Sequence, residues 1–129
     1  MITIDNIENI QKEWGDSLVK LGSLKSNKES CEKEAENIIH KLYGYDCGTV
    51  LFKPTKAKDN QFRLTFEGAK SYFIGENSHF SEDKGFALQP WISVRFENAS
   101  VVISEKTAIA MGNYFFTETS GNVVKVEYT

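Results

Sequence analysis

The 129-residue chain is short of cysteine and histidine and has no long basic or apolar run, and each shortage removes a class of protein. Its two cysteines, Cys31 and Cys47, are too few for a disulfide scaffold in a chain long enough to build its own core. Its two histidines, His40 and His79, do not stand at helical spacing, whereas a zinc site needs several convergent His, Cys or carboxylate ligands. No metal and no cofactor are expected. No stretch approaches about 18 consecutive apolar residues, so no membrane-spanning helix and no membrane partner are expected. The start, Met1-Ile2-Thr3-Ile4-Asp5, lacks the basic and apolar regions of a secretory signal. Basic residues gather only at Lys53, Lys56, Lys58 and Arg63, short of the sustained positive face that nucleic acid requires. That cluster reads as a soluble loop that would at most draw small anions. These absences point to a reduced, cytoplasmic protein.

What is present is ordinary globular material. Hydrophobic residues make up 40% and charged residues 26%, with a net charge of −3, which suits a single domain over residues 1–129. Such a chain buries roughly two-thirds of its unfolded surface and needs no staple. Nine Phe and five Tyr suggest a core or cavity lined by rings. There are no repeats, linkers or low-complexity tracts.

Ile7, Ile10, Trp14, Leu18 and Leu21 recur at helical spacing, and Asp5 with Glu8 suits the start of that first helix. Ser26 and Glu29 repeat the capping spacing ahead of a second apolar stripe, Cys31, Ala35, Ile38, Ile39 and Leu42, which Gly44 ends. Thr49-Val50-Leu51-Phe52 reads as a short buried strand before Pro54. Residues 65–74 form a third helix with Phe66, Ala69, Tyr72 and Phe73 on its apolar side, and a polar loop runs from Gly75 to Gly85. From Trp91 the period changes to two. Val101 and Ile103 should pair with Ile109 and Met111 across a turn at Glu105-Lys106, and Thr119-Ser120-Gly121-Asn122 turns the chain into Val124, Val126 and Tyr128. Helices followed by a meander is an α+β pattern. The chain ends at Thr129 inside a strand pattern, and a long unpaired edge is a liability, so the domain's final strand or strands are expected to be missing.

The element order resembles the NTF2-like, SnoaL-like cone fold: N-terminal helices packed on a curved antiparallel sheet. More specific words resemble the iota-class carbonic anhydrases. They are Trp14-Gly15-Asp16, Leu42-Tyr43-Gly44-Tyr45, Gly48-Thr49-Val50-Leu51-Phe52-Lys53-Pro54-Thr55, Ala69-Lys70-Ser71-Tyr72-Phe73, Glu82-Asp83-Lys84-Gly85-Phe86-Ala87-Leu88 and Met111-Gly112-Asn113. They run in order over most of the chain, so together they are far more specific than any one alone. The resemblance implies reversible hydration of carbon dioxide to bicarbonate, in several members without a metal, in a pocket where hydroxyls and an imidazole hold substrate and water. Residue by residue, it implies catalytic roles for Thr55, from the Lys-Pro-Thr motif, and Tyr72, from the Tyr-Phe motif. The family's remaining site residues, a His and a Ser, belong to a terminal His-His-Ser-Ser segment that these residues do not include.

Each candidate also has a plainer reading. Thr55 is equally a residue that finishes a strand and bonds nearby backbone. Tyr72 is equally a helix residue with a buried ring and a surface hydroxyl. His40 suits the end of the second helix, His79 a solvated loop, Cys31 the core and Cys47 a loop. Glu82 and Asp83 read as a solvated loop or a cap rather than a cation site. Proton transfer of the ketosteroid isomerase kind would need an Asp base facing a Tyr, and neither Asp46 nor Asp83 lies in a run that clearly faces inward. The resemblance therefore implies a metal-independent carbonic anhydrase, with a small-molecule substrate and assembly as a homodimer or larger homo-oligomer. The alternative is a non-catalytic cone for small-ligand binding or oligomerisation.

Overall fold

The computed structural model describes every residue from Met1 to Thr129. The chain divides into two compact units, Met1–Val19 with Trp91–Thr129, and Lys20–Pro90.

In the first unit, helix α1 (Ile4–Ser23, whose last turn enters the second unit) starts at a reciprocal cap. Asn6 N–H donates to Thr3 Oγ1 at 3.1 Å and Thr3 N–H donates to Asn6 Oδ1 at 2.9 Å. Asp5, expected as the cap, lies within the first turn, where its charge suits the helix dipole. The cap is Thr3 because its oxygen precedes the first helical residue and its partner closes a second donor.

Strands β1 (Trp91–Ser104), β2 (Thr107–Glu118) and β3 (Val123–Tyr128) form an antiparallel meander in the order β1-β2-β3. Both turns fall where the sequence puts them. Gly121, at φ 89°, donates its N–H to Glu118 O at 2.9 Å in the second. The register departs from expectation: Val101 faces Ala110 and Ile103 faces Ala108. A two-residue turn that pairs Ser104 with Thr107 forces this offset, since the rest of the ladder follows from it. A bulge between Asn98 and Ser100 then shifts the register again. Gly112 faces that bulge, where a Cβ would lie 2.1 Å from Glu97 O, so no larger residue fits.

One face of the sheet carries Phe96, Tyr114 and Val126 in one row, beside Phe116, which is fully buried. Trp14 of α1 enters this cluster, with ring centroids 5.7 Å from Phe96, 5.4 Å from Tyr114 and 6.1 Å from Phe116. Burial of each large apolar side chain here contributes roughly 1.5–3 kcal/mol. Gly15 lets the helix approach β1, since a Cβ there would lie 3.0 Å from Val94 Cβ. The Trp-Gly pair of the first motif is thus a packing device. The apolar stripe of α1 does not hold throughout: Ile10 is 53% exposed, and Gln11 faces the sheet instead. Gln11 and Asn98 exchange two amide hydrogen bonds, of 2.7 and 2.9 Å, and the Tyr128 hydroxyl donates to the same Asn98 oxygen. A polar strand residue on the helix side needs such partners.

In the second unit, helix α2 (Lys28–Leu42) is capped by Asn27, which accepts from Ser30 N–H at 3.1 Å, rather than by Ser26. Cys31, Ala35, Ile38 and Ile39 are buried, as their spacing predicts. Helix α3 (Phe66–Ile74) is capped by Thr65, which accepts from Gly68 N–H at 3.1 Å. The strand expected at Thr49–Phe52 does not form. The segment has no regular structure: Phe52 O accepts from Arg63 N–H at 2.8 Å, but no ladder follows and Leu51 is 90% exposed. A four-residue apolar run cannot reveal whether a partner strand exists. Residues 75–85 close on themselves, because a Cβ on Gly75 would lie 3.2 Å from Gly85 N.

Candidate active site

The second unit contains a hollow of about 490 Å³. Its aromatic wall follows from α3. Tyr72, 9% accessible, packs edge-on to Phe52 at 6.1 Å and to Phe73 at 5.6 Å, and stacks on Phe86 at 5.5 Å. Tyr72, Phe86 and Leu88 line the hollow together with Lys25, Lys56 and Lys84. The three lysines are exposed.

The wall also includes Glu82 and Asp83, and here the sequence reading needs correction. Both were expected in a solvated loop or as a cap, with Arg63 in a soluble basic cluster. Arg63 is instead 1% accessible. Its guanidinium grips Asp83 in a two-pronged pair of 2.7 and 2.8 Å and donates to the carbonyls of Asn60 and Gly68 at 2.8 and 2.9 Å. It also lies 4.4 Å over the Phe80 ring. The hydrogen bonds to Asp83 hold the Arg63 pKa above its ordinary value. Ser71 Oγ donates to Asp83 at 2.5 Å. Glu82 accepts three backbone N–H groups, from Lys58, Asp59 and Asn60, at 2.7–2.9 Å, and these bonds hold its carboxyl below the usual range. A planar guanidinium is the group suited to such a buried, forked arrangement. One cluster therefore ties together the segment after Thr55, the helix that bears Tyr72 and the loop that bears Phe86.

Of the two expected catalytic residues, Tyr72 lines the hollow, with Ser71 beside it bonded to Asp83. Thr55 is exposed in a turn closed by Ala57 N–H to Pro54 O at 3.1 Å. It is not part of the lining, but the next residue, Lys56, is. Phe86, Lys84 and Leu88 were legible only as part of the Glu82–Leu88 motif. Lys25 carries no local signal, because it reaches the hollow through tertiary folding.

The other candidates lie elsewhere. His40 Nδ1 is 2.7 Å from Asp46 Oδ2, and its ring is 4.5 Å from Phe66. His79 is exposed. Cys31 is buried, which pushes its thiol pKa up, and Cys47 is exposed; neither is bridged. No group of three or more His, Cys, Asp or Glu side chains is placed to hold a metal ion. Asp83 does face inward, contrary to the sequence reading. Its oxygens are already committed to Arg63 and Ser71.

A family profile described as metal-independent carbonic anhydrase matches residues 5–129. A protein of Nostoc sp. (strain PCC 7120 / SAG 25.82 / UTEX 2576) named "Metal-independent carbonic anhydrase" is 41% identical over 131 residues, covering 99% of this chain. The chain spans 64% of that relative's length. It is also similar to a solved structure, "Crystal structure of the iota-carbonic anhydrase from cyanobacterium complexed with bicarbonate", at 41% identity and a TM-score of 0.93. That match covers 98% of this chain and 79% of the other.

Proposed function

The chain belongs to the metal-independent carbonic anhydrase family, and on that premise we propose that it hydrates carbon dioxide reversibly to bicarbonate, without a metal, in the hollow of its second unit. The observation that carries the proposal is the pairing of an aromatic wall with an uncompensated cationic lining. Tyr72 and Phe86 offer an apolar surface to carbon dioxide, which has no charge to solvate. Lys25, Lys56 and Lys84 attract the product anion, while the negative charge of Glu82 and Asp83 is engaged by backbone donors and Arg63.

In the reaction, the oxygen of a water molecule attacks the carbon of carbon dioxide, one C–O double bond becomes a C–O⁻, and the water's proton passes to solvent. The Tyr72 hydroxyl donates toward the oxygen on which negative charge develops, where a partly dry site strengthens the bond. Thr55 stands outside the lining, in the exposed turn that carries Lys56, and acts on the reactants only through that turn. Holding both reactants in register is the main contribution available to a site without a metal.

An NTF2-like cone, a homodimer and residence in the cytoplasm are parts of the same proposal. Supporting assembly, Val102 pairs with Ile109 across the strands and Met111 lies two residues on, all three more than half exposed. Supporting a reducing compartment, both cysteines are unbridged. Stopped-flow hydration assays with and without a chelator test the activity. Catalysis insensitive to chelator and lowered at least tenfold by Tyr72→Phe, with a smaller loss in Thr55→Val, is expected. Absence of both hydration and bicarbonate binding would overturn the reading.

A further inference from the structure

The hollow is much larger than bicarbonate needs. Its volume of about 490 Å³ lies among sites that take drug-sized molecules, about 300–1,000 Å³, whereas bicarbonate is one carbon and three oxygens. Bicarbonate also has no apolar surface to bury. Yet Tyr72 and Phe86 present rings stacked 5.5 Å apart with planes only 14° from parallel, and Leu88 and Pro90 add further apolar lining.

The charge on the lining is of one sign where it is free. No ion pair engages Lys25, Lys56 or Lys84; Lys12, Lys20, Lys28 and Lys70 make such pairs instead. Asp83 is gripped by Arg63, and Glu82 is saturated by three backbone N–H groups. An aromatic wall beside free ammonium groups is complementary to a molecule with a flat apolar body and a single anionic head. A neutral ring would leave the lysines unused, and a small inorganic anion would leave the wall exposed.

We propose that this hollow binds a flat organic monocarboxylate, with its body against Tyr72 and Phe86 and its carboxylate among the three lysines, and that bicarbonate is excluded while it is bound. The exclusion rests on the hydration reading above; the binding does not.

Benzoate is the probe, with acetate (head alone) and benzamide (ring without charge) as controls, measured on the full chain by calorimetry and by NMR shift mapping. Benzoate is expected to bind at least tenfold more tightly than either control, with shifts centred on Tyr72 and residues 82–90. Lys56→Gln with Lys84→Gln should weaken benzoate about tenfold; both side chains are exposed, so the fold is not at stake. Phe86→Ala should weaken benzoate and leave acetate unchanged. Benzoate binding no tighter than acetate, or binding unaffected by the double lysine change, overturns the inference. Saturating benzoate that leaves an active enzyme's hydration rate unchanged overturns the exclusion. Benzoate binding as expected by a chain that neither hydrates carbon dioxide nor binds bicarbonate sustains the binding and overturns the function.

Discussion

Removal of the Asp83 carboxylate should expose how much of the second unit depends on one buried ion pair. In Asp83→Ala, Arg63 keeps its side chain wholly buried but loses the two bonds of 2.7 and 2.8 Å, and Ser71 Oγ loses its acceptor. Removing one partner of a buried pair costs roughly 3–5 kcal/mol. Arg63 still donates to Asn60 O and Gly68 O, and Glu82 remains 3.8 Å away, so the lower figure, about 3 kcal/mol, applies. With a urea m-value of about 2 kcal/mol per M, the unfolding midpoint should fall by roughly 1.5 M. That is a large share of the 5–15 kcal/mol that holds a typical domain. Replacing both partners together, as Arg63→Met with Asp83→Leu, should cost only about 1–2 kcal/mol, since two carbonyls lose a donor but no charge is stranded. Urea unfolding followed by circular dichroism across the double-mutant cycle measures both numbers. A loss below about 1 kcal/mol in Asp83→Ala, or single effects that simply add, would refute the reasoning.

Three further perturbations follow, at Gly112 and Tyr114 in the first unit and at Gly44 in the second. Gly112→Ala forces a Cβ to within 2.1 Å of Glu97 O and 2.8 Å of Ala99 N; it should cost about 3 kcal/mol in urea unfolding, the top of the usual range for overpacking. Gly44→Ala, with nothing within 4 Å, should stay within about 0.5 kcal/mol of the parent. Burial pushes the Tyr114 phenol up to about 12, so it should remain protonated in the folded chain at pH 11 while an unfolded one ionises. The unfolded state then binds fewer protons, and the stability contributed by this group, complete below pH 10, should fall between about pH 10 and 12. Ultraviolet titration of the parent and of Tyr114→Phe reads this directly; ionisation of Tyr114 near 10 in the folded protein would contradict it.

The local elements were legible because their signals are local. Stripes such as Cys31, Ala35, Ile38 and Ile39 report a buried face, and that face is buried. The turns at Glu105-Lys106 and Thr119–Asn122 announce themselves in polar residues, the second also in Gly121. The caps were misplaced by one or two residues, at Thr3 for Asp5 and Asn27 for Ser26, because adjacent polar side chains compete and only the backbone decides which one precedes the first turn. The likeness to the carbonic anhydrase family was legible in six short motifs, while the change from helical spacing to period two set the α+β class. Several of those motif residues prove to be structural. Gly15 lets a helix approach a strand, Gly112 faces a bulge, and Asp83 anchors Arg63.

What the sequence determined by itself is the order and kind of nearly every element, since periodicity and turn chemistry depend on residues within a few positions of each other. Tertiary structure alone decided the contacts between distant positions. It turned Arg63 from an expected surface cation into a buried one, left Thr49–Phe52 without a partner strand, and chose Gln11 over Ile10 to face Asn98. It also brought Lys25 to the same hollow as Tyr72 and Lys84. Charge, hydrogen bonding and close packing act through space at a few ångströms, and a linear pattern holds no record of which distant residue fills that space.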